Sequence, residues 1–420
     1  MSGQARSVAI IGAGIVGVST ARYLQRSGHA VTLIDPNPPG TGASFGNAGC
    51  FNPSSMVPIA GPDTFKSVPG YLMDPLGPLS IRWSYLPRIT PWLIRYGLAG
   101  TPARIKQQAA ALTTLLGNSL EALAPLVADA GAQDLVRRDG ILIVYRSEAS
   151  RKADERGWNL RRDAGITWQE LDAGELRAFD PNLTPDLTSG KWVPGNGHTV
   201  DPGGLVGKIA ECVLAAGGRL VKARASGFDF DGAALRGVIT DQGTIAADAV
   251  VIAAGAHSKQ LARMAGDTLP LETERGYHAV IKTPAVQPRV PTTDSDHKFV
   301  VAPMNMGVRI AGTVELAGLD APPNWQRSQI LLRRIGGLYP ALGRQYGEDD
   351  VTVWMGHRPS FPDSLPVIDR SSRSRDIFYA LGHGHVGMTG GPFTGAIIAD
   401  LISGRPAPID LSPFKATRFR

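Results

Sequence analysis

The chain has 420 residues, which is longer than one simple core usually supports and suits two domains that share an interface. Hydrophobic residues make up 43% of it and charged residues 19%, a composition typical of globular proteins and not of disordered ones. The 43 basic residues exceed the 37 acidic ones by six and are spread along the chain, which argues against a nucleic-acid partner.

Targeting and redox signals point to an ordinary intracellular protein. The first residues run directly into a predicted strand, so we expect no signal peptide, and no run of about eighteen apolar residues predicts a membrane-spanning helix. The two cysteines, Cys50 and Cys212, are far apart and fit neither a disulfide framework nor a CxxC motif. These signals favour a cytoplasmic location.

The first predicted element is a nucleotide-binding βαβ unit from Ser7 to Asp35. An apolar, β-branched run predicts a buried parallel strand, and a helix is predicted over residues 15–26. Between them stand three glycines at the GxGxxG spacing: Gly12, Gly14 and Gly17. They allow a tight turn, close approach to a pyrophosphate and close packing of the helix. The carboxylate of Asp35 can bind an adenosine ribose and disfavours NADP, but nicotinamide and flavin dinucleotides both remain open.

Two segments with distinct composition follow. Residues 36–58 are rich in Gly, Pro, Ser and Asn and predict a loop that lines the cofactor. Residues 81–100 concentrate aromatic and basic side chains in an amphipathic helix, with Thr90 as the expected N-cap and Pro91 at its first position. Leucines at helical spacing then predict core helices between residues 103 and 130.

The rest of the chain alternates between strands and helices. Strands are predicted at 140–145, 220–230, 235–240, 244–252 and 351–355, and helices at 158–165, 201–214 and 326–338. Residues 270–317 predict an antiparallel sheet with a hairpin near residues 305–307. The last region is predicted as a strand, a glycine-rich turn and a helix, which repeats the nucleotide-binding pattern at the end of the chain.

Four separated segments resemble one family. They are GAGIVG with Asp35, the loop SFGNAG, the strand end AAGA, and RPSFPDSLPVID followed by GHGHVGMT. Together they are similar to the D-amino-acid oxidase superfamily of FAD enzymes, and SFGNAG with GHGHVGMT looks most like its bacterial D-amino-acid dehydrogenase branch. The likeness covers nearly the full chain.

The resemblance implies an α/β fold with two domains. A Rossmann-like FAD-binding domain would combine residues 1–55, 195–265 and 366–420. A substrate-binding α+β domain would combine residues 56–194 and 266–365 and carry a mixed, largely antiparallel sheet over the flavin.

The resemblance also implies which residues meet FAD. The expected cofactor contacts are Gly12, Gly14, Ile15, Val16, Gly17, Asp35, Ser44, Asn47, Ala48, Gly49, Ala225, Ala254, Gly255, Gly384, His385, Val386, Gly387 and Met388. Cys50 is a departure, because this branch often has a polar residue there. It is either a small buried hydrophobic residue or a covalent tether for the flavin.

Three residues are the candidates for the chemistry. Arg358 carries a guanidinium fork that suits a substrate carboxylate. Tyr277, on a strand expected to face the cofactor, is either a substrate contact or a core aromatic. His385 is either a proton acceptor and flavin contact or a loop histidine. The His383 and His385 pair lacks further ligands, so we expect no metal site.

The implied reaction is oxidative deamination of a D-amino acid by hydride transfer from the substrate Cα to flavin N5. It gives a 2-oxo acid and ammonia after hydrolysis. The alternatives are oxidation of D-hydroxyproline, D-proline, sarcosine or glycine, a flavin-holding subunit whose partner does the chemistry, and an NAD-linked enzyme.

The segment 81–100 raises the question of the electron acceptor. Its aromatic residues are of the kind found at membrane interfaces, and its arginines suit anionic headgroups: Trp83, Tyr85, Trp92 and Tyr96, with Arg82, Arg88 and Arg95. One hypothesis is peripheral contact with the inner face of the cytoplasmic membrane and transfer to a quinone. The alternative is a segment that covers the active site or packs in an oligomer.

Overall fold

The computed structural model of the protein describes residues 5–60, 70, 74 and 77–420. The first four residues lie outside this range. The helices are α1 (Ile15–Arg26), α2 (Leu86–Ala99), α3 (Pro102–Gly117), α4 (Ser119–Asp129), α5 (Glu148–Ala153), α6 (Glu155–Asp163), α7 (Ala173–Phe179), α8 (Pro202–Ala215), α9 (Ser258–Met264), α10 (Gln326–Ile335) and α11 (Gly387–Ile402).

The strands of the described residues fall into four sheets. In chain order they are β1 (Ser7–Ile11), β2 (Ala30–Ile34), β3 (Cys50–Phe51), β4 (Leu79–Ile81), β5 (Val136–Arg137), β6 (Ile141–Tyr145), β7 (Gln169–Asp172), β8 (Ser189–Val193), β9 (Gly197–Thr199), β10 (Arg219–Val221), β11 (Ala225–Asp231), β12 (Ala234–Thr240), β13 (Gly243–Ala246), β14 (Ala249–Ile252), β15 (Glu272–Ile281), β16 (Thr292–Asp294), β17 (Phe299–Met304), β18 (Gly307–Leu316), β19 (Val351–Ser360), β20 (Val367–Arg370) and β21 (Ile377–Leu381).

A six-stranded sheet forms the nucleotide-binding half. Its strand order is β10, β2, β1, β14, β21 and β20, parallel except for the β20–β21 pair at one edge. Apolar clusters cover both faces of the sheet, as the continuous apolar runs of β1 and β14 require. All six strands lie within the three segments that the sequence assigned to FAD binding, while the domain boundaries themselves stay a prediction.

A nine-stranded mixed sheet forms the other half. The main path runs β19, β15, β18, β17, β16, β6, β8 and β7, and β4 pairs with β18. Most neighbours are antiparallel, and the β16–β6 and β18–β4 pairs are parallel. The expected α/β fold with a mixed, largely antiparallel second sheet is therefore confirmed.

Two strands predicted as continuous are each divided between sheets. The segment 220–230 contributes β10 to the parallel sheet and β11 to a three-stranded sheet with β12 and β13. The segment 244–252 is divided in the same way into β13 and β14. At this second junction the Asp248 carboxylate accepts the backbone N–H and the hydroxyl of Ser7, both at 2.7 Å, so the chain is held where it changes sheets.

Helices α3 and α4 pack on the nucleotide-binding half, although the sequence assigned them to the substrate domain. Leu115, Leu116 and Leu126 are fully buried in the cluster that contains the apolar side chains of α1 and α11. The combined segment Pro102–Asp129 is long and apolar enough to cross a membrane by length and composition. Half of its most apolar 18-residue stretch is buried inside the protein. Packing against the core therefore explains why the segment is apolar.

Helix α2 begins earlier than the sequence predicted. It starts at Leu86, so Thr90 is not its N-cap; the Thr90 hydroxyl instead donates to the Leu86 carbonyl within the helix at 2.7 Å. Burial against β18 sets this register, because Ile89 and Trp92 pack on Leu316. Trp92 is therefore not available to a membrane surface.

The contact between α1 and α11 generates a prediction about stability. A Cβ on Gly395 would lie 2.7 Å from Thr20 N and 2.8 Å from Ser19 C, both backbone atoms that cannot move aside. We expect Gly395→Ala to lower the free energy of unfolding by about 1–3 kcal/mol through overpacking. Gly207→Ala, inside α8 where a Cβ meets nothing within 4 Å, should instead raise it by about 0.5–1 kcal/mol. Chemical denaturation of both variants checks this, and equal effects would contradict the packing account.

Candidate active site

The first glycine loop meets two other predicted cofactor segments. Gly12 has a φ of 110°, and a Cβ there would overlap the Ala253 carbonyl at the end of β14. The backbone N–H of Ile15 donates to Ser44 Oγ at 3.0 Å. Glycine is therefore required for contact with the AAGA strand end, and Ser44 connects the loop SFGNAG to the start of α1.

The acid predicted to bind ribose is already oriented. Asp35 is half-buried; its Oδ2 accepts the N–H of Ala13 and its Oδ1 accepts the N–H of Asn37, each at 2.9 Å. Each carboxylate oxygen keeps a further lone pair for a ligand hydroxyl. The carboxylate is therefore fixed beside the glycine loop rather than free on the surface.

Buried donors from the mixed sheet hold the loop SFGNAG. The Arg309 guanidinium on β18 donates from Nη1 to the carbonyls of Phe45, at 2.8 Å, and Asn47. His278 Nδ1 on β15 lies 3.2 Å from the Gly46 carbonyl. Because a carbonyl can only accept a hydrogen bond, Nδ1 carries the ring hydrogen and donates it. Burial lowers the pKa of Arg309 to about 10, and burial with the nearby Arg309 charge lowers that of His278 to about 3. At neutral pH the arginine is thus charged and the histidine uncharged.

The face of the mixed sheet that meets this loop carries three cross-strand pairs. Strands β15 and β19 are antiparallel, and the pairs that share the face of His278 are Glu274 with Arg358, Gly276 with Gly356, and His278 with Trp354. The glycine pair in the middle leaves space that the flanking long side chains enter. A Cβ on Gly356 would overlap the Trp354 ring, and the same ring packs on Gly46.

Arg358 lies over this gap. A Cβ on Gly276 would overlap its guanidinium, and its Nη1 donates to the Thr313 carbonyl at 3.3 Å. The residue is half-buried, and burial lowers its pKa while Glu274 opposes that change. A guanidinium has five N–H donors, so most of its donor capacity is left for a ligand such as a carboxylate.

Tyr277 lies on the opposite face of the same strand. Its hydroxyl donates to Glu315 and accepts the N–H of Asn324 at 2.9 Å, and its side chain is 1% exposed. Burial and the bond to Glu315 raise its pKa. Because side chains alternate along a strand, a site that contains His278 and Glu274 cannot also receive Tyr277. The structure therefore favours the second of the two roles that the sequence left open, a core aromatic beneath α10, over a substrate contact.

A cavity lies beside the glycine-rich turn before α11. Its described lining includes Tyr96, Glu274, Ser360, Phe361 and His385. The His385 ring is exposed at the cavity, yet the surrounding protein displaces most of the bulk water. This desolvation and the Arg358 charge lower its pKa to about 4, so the ring is uncharged at neutral pH.

His383 does not act together with His385. Its ring is buried and lies 2.9 Å from the Thr394 hydroxyl, within α11, and burial lowers its pKa to about 4. Within residues 5–60, 70, 74 and 77–420, no group of three or more His, Cys, Asp or Glu side chains is placed to hold a metal.

The remaining predicted cofactor residues present mainly their backbone. Val386 and Met388 turn their side chains into the core, and Gly384 begins a 3₁₀ turn that leads into α11. Ala225 starts β11 and is half-buried against the cluster that contains Ile34. The positions predicted to contact the cofactor that are half-buried in the structure are Gly14, Val16, Asp35, Ser44, Asn47, Ala48, Ala225, Ala254, Gly255, Gly384 and Gly387.

Cys50 lies at the end of the loop with its Sγ 3.8 Å from the Ala48 carbonyl. Burial raises the pKa of its thiol to about 12. A thiol held protonated is a poor nucleophile. This environment favours the small hydrophobic role over that of a covalent tether.

The residues present fit a bound dinucleotide. A Cβ on Gly14 would meet only the Ser44 hydroxyl within 4 Å, and one on Gly255 would meet nothing, so the start of α1 and the end of β14 both border open space. The helix N-terminus favours phosphates, and Asp35 favours the ribose. FAD is thus accommodated by an unobstructed helix end, an oriented acid and a loop of small residues.

Sequence reasoning missed three residues of this site: Glu274, Arg309 and Trp354. Arg309 is 1% exposed and Glu274 is 9% exposed. Arg309 stands among apolar residues and glycines at the start of its strand, and a charged residue in such a pattern is a usable signal. Glu274 gave no such signal, because its strand also contains Glu272, Arg275 and His278. Trp354 gave no comparable signal, since an aromatic residue is common in any strand.

Comparison with known proteins agrees with the geometry. The DAO family of FAD-dependent oxidoreductases matches residues 7–401. The chain is 48% identical to a D-amino-acid oxidase of Bradyrhizobium diazoefficiens over 99% of both chains. It is 31% identical to a D-amino acid dehydrogenase of Paramagnetospirillum magneticum over 98% of both chains.

A solved structure shares the fold at lower sequence similarity. The glycine oxidase of Geobacillus kaustophilus superimposes with a TM-score of 0.74 over 98% of both chains at 22% identity. The family expected from the four sequence segments is confirmed, and with it the cofactor FAD. The protein is therefore a member of the DAO family of FAD-dependent oxidoreductases.

Proposed function

We propose that the protein catalyses the FAD-dependent oxidative deamination of D-amino acids to 2-oxo acids and ammonia. The observation that carries the proposal is the Arg358 guanidinium, which lies over a glycine pair on the sheet face that also holds the flavin loop. Two relatives that cover the full chain, a D-amino-acid oxidase and a D-amino acid dehydrogenase, support the substrate class.

Bound FAD supplies the oxidant, because it accepts a hydride from the substrate Cα. The residues of the protein position the substrate relative to the cofactor. Arg358 would pair with the substrate carboxylate through two parallel N–H donors, which fixes both the location and the rotation of the carboxylate. Arg309 and His278 hold the loop SFGNAG against the same sheet, so the substrate site and the cofactor loop keep a constant separation.

His385 is suited to hydrogen bonding more than to proton transfer. A ring with a pKa of about 4 is uncharged near neutral pH and accepts a proton only weakly. The amine must lose its proton before hydride transfer, since its lone pair stabilises the developing imine. We propose that this proton is released to solvent. His385 would line the cavity as an uncharged group that can form hydrogen bonds.

The function is tested by anaerobic reduction of the purified holoenzyme. We expect D-amino acids to bleach the bound FAD and the matching L-enantiomers to do so at least about a hundredfold more slowly, because an L-enantiomer held with its carboxylate, amine and side chain in the same places would direct its Cα hydrogen away from the flavin. Bleaching by glycine, sarcosine or D-proline alone would favour the small or secondary amino acid alternative. If none of these amino acids bleaches the FAD of the isolated chain, and bleaching occurs only after a partner subunit is added, the result would favour a flavin-holding subunit.

The proposal extends to the electron acceptor and to membrane contact. Trp83, Ile94 and Leu98 are 73%, 59% and 58% exposed on the outer side of α2 and the turn before it. Exposed arginines flank them: Arg82, Arg88 and Arg95. An apolar stripe bordered by cations suits an anionic lipid surface. We place the protein in the cytoplasm, on the inner face of the membrane, with a quinone as acceptor.

Flotation with vesicles that contain an anionic lipid tests this contact. The protein should float at low salt, and Trp83→Ser with Ile94→Ser should leave most of it unbound, because two of the three exposed apolar anchors are lost. Leu214→Ser, at a 38% exposed position on α8, is the matched control and should float like the wild type. If the wild type stays in the soluble fraction, the membrane contact is excluded. A soluble electron acceptor or oxygen then replaces quinone as the proposed oxidant.

A further inference from the structure

The cavity beside the glycine-rich turn before α11 is lined by an acid that the proposed reaction does not use. Glu274 is 9% exposed, lines the cavity with Tyr96 and Ser360, and is the cross-strand partner of Arg358. Directly opposed residues on one sheet face have Cβ atoms about 5 Å apart, close enough for these two side chains to pair.

Arg358 nevertheless forms no ion pair with Glu274 among the described residues. Its guanidinium lies over Gly276 and donates to the Thr313 carbonyl on β18. In the part of the chain that the structure describes, no ion pair within 4.0 Å joins Glu274 to a basic side chain. The two opposite charges are therefore presented separately on one face of the sheet.

The described lining of the cavity holds no other formal charge. It contains no Lys or Arg, and both of its histidines are uncharged at neutral pH. Burial raises the pKa of Glu274, while Arg358 and the Ser360 hydroxyl oppose that change. A carboxylate in such a place is stabilised in its charged form by a cation that enters with the ligand.

The α-amino group of the substrate is a poor candidate for that cation. Hydride transfer requires the neutral amine, and a carboxylate beside the group would favour its protonated form. A positive charge on the substrate side chain would pair with the Glu274 carboxylate and would leave the α-amino group neutral for hydride transfer.

We propose that Glu274 makes this site selective for D-amino acids whose side chain is positively charged, an ammonium or a guanidinium. This inference rests on the proposed function and adds the substrate class. Arg358 takes the carboxylate at one end of the substrate, and Glu274 takes the cation at the other.

The test compares substrates of nearly equal shape that differ in charge. D-arginine is paired with D-citrulline and D-lysine with D-norleucine, and the rate of anaerobic FAD reduction is measured against substrate concentration. In the wild type the cationic member of each pair should have a second-order rate constant at least about tenfold higher, as expected for one charge-assisted contact. In Glu274→Gln the ratio within each pair should fall to near one.

Glu272→Gln is the matched control. Glu272 lies on the same strand and accepts the Tyr85 hydroxyl at 2.9 Å outside the cavity lining, so this variant should keep the wild-type ratios. If Glu274→Gln fails to retain FAD, wild-type ratios near one still overturn the inference.

Two results would overturn the inference. One is a wild-type enzyme that reduces its FAD with neutral D-amino acids and gains nothing from a positive charge, which leaves the proposed function intact. The other is a wild-type preference for cations that Glu274→Gln retains. If no D-amino acid reduces the FAD, the proposed function itself fails.

Discussion

Three backbone carbonyls of the loop SFGNAG are held by two buried side chains of the mixed sheet. Arg309 binds the carbonyls of Phe45 and Asn47, and His278 binds that of Gly46. A loop of small residues has little structure of its own, so these bonds fix its path. They also join the two halves of the protein at the point where cofactor and substrate must meet, and the geometry of the site depends on them.

The chemistry of the site follows from alternation along one strand. Glu274, Gly276 and His278 share one face of β15, and His278 on that face contacts the loop SFGNAG. The small residue in the middle gives room for Arg358 to cross from β19. The acid at one end, Glu274, has no ion pair among the described residues, although Arg358 and the Ser360 hydroxyl favour its charged form. One strand thus supplies the loop support, the space for a carboxylate anchor and a negative charge for specificity.

The sequence predicted the local elements well and the tertiary relations poorly. Helix α1 has the predicted bounds, because its glycines and apolar spacing are local signals. The start of α2 was missed, since burial of Ile89 and Trp92 on β18, and not the Thr90–Pro91 pair, sets its register. The same limit applies to Tyr277 and Glu274. Which of them faces the cofactor depends on strand pairing and on the irregularity opposite Tyr277, which no single sequence pattern reveals.

The proposed function depends most on Arg358 as the anchor for a substrate carboxylate, and ligand binding without turnover tests this role most directly. Oxidised holoenzyme is titrated with propionate and with propionamide, and binding is followed through the absorption of the bound FAD. We expect propionate to bind and propionamide to bind at least about tenfold more weakly, and Arg358→Ala to retain FAD but weaken propionate by about ten- to a hundredfold. An Arg358→Ala variant that binds propionate as tightly as the wild type would contradict the account.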